Sequence, residues 1–190
     1  PDGGRILGAR ALGFSGVDKR MDVIAAVVRL GGTVQDLTEL ELCYAPPFSS
    51  AKDPVNMAGY AAENILRGLV KPFYTEDTAG IDPEKELLLD VRTKAEFQNG
   101  TIPGAVNIPL DDLRTGLSGI PKDKPVFVFC QIGLRGYLAA RILMQSGFTQ
   151  VRNLSGGYRL WKEIQNDRNG LAKEPEGTKV ETDTQMPIKS

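Results

Sequence analysis

The stretch Val126-Phe127-Val128-Phe129-Cys130-Gln131-Ile132-Gly133-Leu134-Arg135-Gly136 decides the fold. Four apolar residues in a row read as a strand covered on both faces. That strand delivers Cys130 at its carboxyl end. A helix starts within a few residues, and Gly133 and Gly136 allow the sharp turn between them. Outward from this unit the pattern repeats. Leu87–Val91, Ala105–Ile108 and Val151–Leu154 read as further strands. Between and after them, Thr93 can cap a small helix holding Ala95 and Phe97, Leu110–Leu117 can form a short helix, Leu134–Gln145 a longer one and Tyr158–Ile164 a last one. Apolar strands alternating with helices imply an α/β fold, a parallel sheet flanked by helices on both faces.

Residues 1–70 read differently. Pro1–Gly4 resembles a hairpin turn, and Arg5–Leu12 the strand that follows it. A hairpin needs a strand before its turn too, so the expectation is a piece of a larger protein. Met21–Leu30 is apolar nearly all round, as a buried helix would be. Thr33 caps a short helix, Cys43–Ser50 with its two prolines is an extended loop, and Met57–Leu69 is an amphipathic helix stopped by Lys71-Pro72. The organisation expected is therefore a partial α+β unit over 1–70, an α/β domain over 72–168, and a loosely attached tail over 171–190, where charge, Thr and Pro dominate.

Composition excludes several classes. The 190 residues carry a net charge of −1, so no basic balance argues for nucleic acid or a membrane surface. No apolar run approaches the roughly 20 residues that span a bilayer. Two cysteines in a chain this long suggest a reducing, cytoplasmic setting rather than a disulfide framework. Histidine is absent, and two sulfurs alone build no ordinary zinc site, so no metal is expected. A nucleophile in this chain must be activated by its electrostatic surroundings instead of by an imidazole. The loop from Cys130 to Arg135 offers that: backbone N–H groups turned inward at the positive end of a helix, with Arg135 adding a fixed charge. Such a cradle binds anions and favours a thiolate. Position alone leaves open a buried structural cysteine, since free Cys packs like a small hydrophobe.

The C-terminal half resembles the rhodanese family. The matching residues are Leu89–Arg92, Glu96-Phe97, Gly100–Leu110, Cys130–Arg135, and Leu154–Tyr158 with Trp161. They stand in the family's order across nearly the whole half. The resemblance implies a sulfurtransferase in which Cys130 accepts a sulfane sulfur from a donor, carries it as a persulfide, and passes it to an acceptor thiol. Gln131, Ile132, Gly133, Leu134 and Arg135 would form the substrate-binding loop. Four residues separate Cys130 from Arg135. The related phosphatase loops have five, which argues against the rival of a phosphatase or arsenate reductase. Asp90 and Arg92 also belong to the match, either shaping the mouth of the site or, the reading favoured, bracing the loop from beneath. Trp161 reads as core.

Residues 1–70 resemble the C-terminal end of the dimerisation domain of pyridine nucleotide–disulfide oxidoreductases, closest to coenzyme A disulfide reductases and their persulfide-reductase relatives. The carriers are Gly4–Ala9, Asp18–Arg20 and above all Tyr44–Pro54. The resemblance implies a parent enzyme using FAD, NAD(P)H and coenzyme A, a homodimer formed through this part, and a role for Tyr44 near the partner's redox site. A packed loop tyrosine is the plain alternative. Cys43 is expected to be a small buried residue. No Gly-x-Gly-x-x-Gly stretch occurs, so no flavin or nicotinamide domain is expected in this chain. The remaining rival is a noncatalytic module that binds a carrier or helps the parent dimerise.

Overall fold

A computed structural model describes residues 2–47 and 49–171 of the chain. Five short strands form one sheet: β1 (Pro72–Phe73), β2 (Leu87–Asp90), β3 (Val106–Asn107), β4 (Val126–Phe129) and β5 (Val151–Leu154). Their order is β1-β5-β4-β2-β3, and every pairing is parallel. The sheet expected from the alternating pattern is therefore present, with β1 as an addition. Pro72 pairs with Asn153, at an edge where a missing N–H costs little.

The period of two sorts side chains to the two faces. Val126, Val128 and Cys130 point into one cluster with Ala139, Ala140 and Leu143. Those three come from α6 (Leu134–Gln145), which ends where Gly147 adopts φ 92. Phe129 points the other way, into a cluster with Phe73, Leu88, Ile102, Leu154 and Tyr158. Trp161 packs against that cluster, stacks on Tyr158 at 5.8 Å and donates its indole N–H to Thr78 Oγ1. Both belong to α7 (Gly157–Leu171), which runs further than the expected stop at Ile164. Once its first turns dock, polar residues that read as loop continue the helix. Thr93 caps α4 (Lys94–Gln98) through a reciprocal box with Glu96. The Leu110–Leu117 segment forms α5 (Leu113–Gly116) between two tighter turns.

The regular elements described before residue 71 are helices. They comprise α1 (Val17–Arg29), α2 (Val34–Glu39) and α3 (Pro54–Leu66). Thr33 caps α2 as its sequence indicates. The helix α3 starts three residues earlier than Met57, because Asp53 caps it and Pro54 takes the first position. The Arg20 guanidinium meets Asp53 at 3.1 Å and ties α1 to that cap. Three expectations are corrected. The Arg5–Leu12 strand is reduced to one antiparallel bridge, Arg5 to Thr33, because no neighbouring strand lies alongside to complete a ladder. The apolar helix α1 has no buried residue, since nothing covers its outer side. Cys43 is exposed, because it stands on the connection between α2 and α3 among mostly exposed neighbours rather than in the core. The expected tail, beyond Leu171, lies outside the described residues. No described helix is long and apolar enough to cross a membrane.

Candidate active site

Cys130 follows directly on β4 and is 1% exposed. The register that pairs Asp90 with Phe129 brings Asp90-Val91-Arg92 alongside it. Beyond Cys130 the chain turns at Gly133, whose φ of 115 suits glycine alone. The Gly133 N–H donates to Cys130 Sγ at 3.1 Å. The Gly133 carbonyl meanwhile accepts from Tyr137 N–H and opens α6. The sulfur thus sits at the positive end of a 12-residue helix, with one amide already aimed at it.

The outward side of the loop is fixed by α7. Tyr158 N–H donates to the Cys130 carbonyl at 2.8 Å, and Arg159 N–H to the Gln131 carbonyl at 3.0 Å. The Gly133 N–H is the amide that meets the sulfur, while these bonds engage the two carbonyls on the α7 side. The approach is possible because Gly157 has no side chain: a Cβ there would lie 2.6 Å from the Cys130 carbonyl oxygen. Asn153, at the end of β5, donates its side-chain amide to the Gly133 carbonyl at 3.2 Å.

Asp90 and Arg92 lie beneath the loop as a buried ion pair. The Arg92 side chain reaches Asp90 through Nε and Nη2, the closest contact being 2.6 Å. Nη2 also donates to the Gly100 carbonyl, and Nη1 to Gln131 Oε1 at 3.3 Å. Its guanidinium lies over the Tyr158 ring at 4.0 Å. Thr101 donates to Asp90, and Asn107 donates to the carbonyls of both residues. Four of its five N–H donors have these partners, and the side chain is buried among them.

Arg135 is also committed. It makes a two-pronged pair with Glu96 of α4, at 2.8 and 2.6 Å. The Arg135 hydrogen bonds are the main reason the Glu96 carboxyl falls from the ordinary 4.5 to about 2. The same carboxylate raises the affinity of Arg135 for its proton. Sequence reasoning missed Glu96, Asn153 and Gly157 as parts of the site. Glu96 had been read as a matching family position, and its second partner lies 39 residues away.

Ile132 and Leu134 are exposed on the rim of the loop. With Gly133 they form one wall of a cleft of about 410 Å³, whose opposite wall is Met57, Tyr60 and Ile65 of α3. The two halves of the chain therefore meet beside the loop that follows Cys130, and the cleft between them is largely apolar. Tyr44 is not brought to this place. It stands 55% exposed on the loop before α3 and does not line the cleft.

Comparison with known proteins places this geometry. Residues 76–164 match the family model described as a rhodanese-like domain. A sulfurtransferase of Allochromatium vinosum is 44% identical over 80 residues, covering 42% of this chain and 75% of that protein. Coenzyme A disulfide reductase of Staphylococcus epidermidis is 45% identical over 62 residues, 33% of this chain but only 14% of that protein. Among solved structures, reduced Bacillus anthracis CoADR-RHD matches with a TM-score of 0.77 and 49% identity, over 81% of this chain and 28% of that one. An NAD-dependent persulfide reductase from A. fulgidus matches with a TM-score of 0.68 and 37% identity, over 78% of this chain and 26% of that one. The chain thus spans about a quarter of the two structures that resemble it across both halves.

Proposed function

The chain belongs to the rhodanese family, and from that premise we propose that it is a sulfurtransferase whose carrier is the Cys130 thiolate. The thiolate attacks the sulfane sulfur of a donor. A new S–S bond forms at Cys130, and the donor's S–S bond breaks, its electron pair leaving with the donor remainder. An acceptor thiolate then attacks the outer sulfur and releases the Cys130 thiolate again. The observation that carries this reading is the Gly133 amide 3.1 Å from Sγ inside a loop whose Cys130 and Gln131 carbonyls are engaged by α7. An amide aimed at the sulfur from the start of a helix stabilises both the thiolate and the persulfide anion without any imidazole. Gln131, Ile132, Gly133 and Leu134 line the approach, and Asp90 and Arg92 hold the floor rigid.

Thiosulfate with cyanide as acceptor tests this against the rivals. The protein is expected to release thiocyanate, to lose that activity in Cys130→Ser, and to leave an aryl phosphate intact. Phosphate release that depends on Cys130 would mean an anion-directed hydrolase. Inactivity toward every sulfur donor would mean a binding module.

The likeness to CoADR-RHD and to the persulfide reductase covers 81% and 78% of this chain, so it reaches both sides of position 70. This supports a further reading: the chain serves as the C-terminal part of a coenzyme A disulfide or persulfide reductase, handing sulfur from Cys130 to the flavoprotein's site. The residues present do not themselves fit a flavin or nicotinamide, because the chain has no Gly-x-Gly-x-x-Gly stretch. FAD, NAD(P)H and coenzyme A would be held by the rest of such an enzyme, with Tyr44 displayed at its surface toward a partner. The chain alone is expected to transfer sulfur and to reduce nothing.

The same reading makes residues 1–70 a pairing surface. Leu12 and Phe14 are 102% and 108% exposed, and no residue of α1 is fully buried. Apolar groups left so open invite a second chain. Sedimentation velocity is expected to show a monomer–dimer equilibrium that shifts with concentration and is weakened by Leu12→Ser with Phe14→Ser. A monomer at all concentrations would remove this part of the proposal.

A further inference from the structure

The loop's own cation is not free to greet a donor. The Nη1 and Nη2 edge of the Arg135 guanidinium is taken by Glu96, in the paired geometry that carboxylates and guanidinium groups favour. The pair lies at the rim, with side chains 33% and 32% exposed, where an incoming anion must compete for it. Glu96 is anchored for this task from its other side: it caps α4 by accepting from the Thr93 N–H at 2.9 Å and from the Thr93 hydroxyl. A carboxylate that stays ionised down to about pH 2 is charged throughout any working range.

Charge matters because donors differ in it. Thiosulfate brings two negative charges to a thiolate and leaves as the sulfite dianion. An alkyl persulfide, RSSH, reacts as Cys130–S⁻ + RSSH → Cys130–S–SH + RS⁻, so that one negative charge in total occupies the mouth. For thiosulfate the total is three, with Glu96 beside them and Arg135 already neutralised.

Resting on the sulfurtransferase reading above, we propose that Glu96 is a positioning residue that sets donor specificity. By holding Arg135 it withholds the guanidinium from doubly charged donors and tunes the site to persulfides that carry one charge or none. Arg135, which the sequence offers as an anion-binding group, becomes one only when Glu96 lets go.

Glu96→Gln tests this. Glutamine keeps the reciprocal cap on α4, since Gln is the other residue that closes such a box, but it removes the charge. The readout is the ratio of kcat/KM for thiosulfate to kcat/KM for 2-hydroxyethyl persulfide, a donor with an uncharged body. The ratio is expected to rise about tenfold in Glu96→Gln, as a fall in the thiosulfate KM, a size set by one charge-assisted hydrogen bond. In Glu96→Gln/Arg135→Ala the gain should vanish. A merely structural role for Glu96 would lower both activities and leave the ratio where it was. An unchanged ratio in the single variant overturns the proposal, and so does a gain that survives in the double variant. Failure of the wild-type protein to use either donor overturns the sulfurtransferase reading itself, and this proposal with it.

Discussion

Gly157→Ala is expected to cut sulfur transfer by about a hundredfold, the loss that a displacement of about 1 Å at a reacting group brings. The added Cβ would stand 2.6 Å from the Cys130 carbonyl oxygen and 2.8 Å from the carbonyl carbon and oxygen of Gln131. All three atoms are backbone, so no side chain can swing aside. Gly157 also sits at φ 62, a conformation that strains alanine. The loop must move outward, lengthening the bonds from Tyr158 and Arg159 that engage its carbonyls. Overpacking and strain together should cost about 2–4 kcal/mol of stability. Activity above half of wild type with an unchanged melting temperature would show that α7 does not shape the loop.

Arg92→Leu is expected to be the most destabilising single change at the site, by about 3–5 kcal/mol. Arg92 is 2% exposed and Asp90 0%, so removing the cation leaves a carboxylate buried without its partner. At about 4–8 °C per kcal/mol for a domain of roughly a hundred residues, the melting temperature should fall by at least about 12 °C. Asp90→Asn/Arg92→Leu should lose less than the two single changes added together, because removing both charges removes the penalty of the orphan. Simple additivity would mean that the pair is not coupled and that the brace lies elsewhere, in Gly100 or Gln131.

The central architecture was legible because its signals are local. Val126–Phe129 is apolar at every position, and Gly133 follows within a few residues, so the strand, the turn and the helix could each be read from neighbours. The same holds for the caps at Thr33 and Thr93. What was not legible depends on residues far apart. β1 is two residues long and exists through its register with Asn153 and Leu154. Arg5–Leu12 has the composition of a strand, but a strand needs a ladder, and among the described residues it finds one bridge to Thr33 and a bond from Ile6 N–H to the Gly32 carbonyl. Cys43 reads like a core residue by type, yet burial is a property of what lies above it. The site divides in the same way. Cys130 and its loop stand in one stretch of sequence. Of the partners around the loop, Arg92 was named with Asp90 from the sequence, but Glu96 from α4, Asn153 from β5 and Gly157 at the start of α7 come from places the loop itself does not point to. Arg135 shows the consequence most plainly. As a residue in a loop it is a free positive charge, and only the fold reveals that Glu96 has claimed it.

The central claim is that Cys130 carries the transferred sulfur. Intact-protein mass spectrometry after exposure to 2-hydroxyethyl persulfide measures it directly, followed by peptide mapping of both cysteines. The account predicts a gain of about 32 Da, one sulfur atom held as a persulfide. The gain should map to Cys130, be removed by added thiol or cyanide, and be absent from Cys130→Ser. An adduct that persists in Cys130→Ser, or that maps to the exposed Cys43, would contradict it.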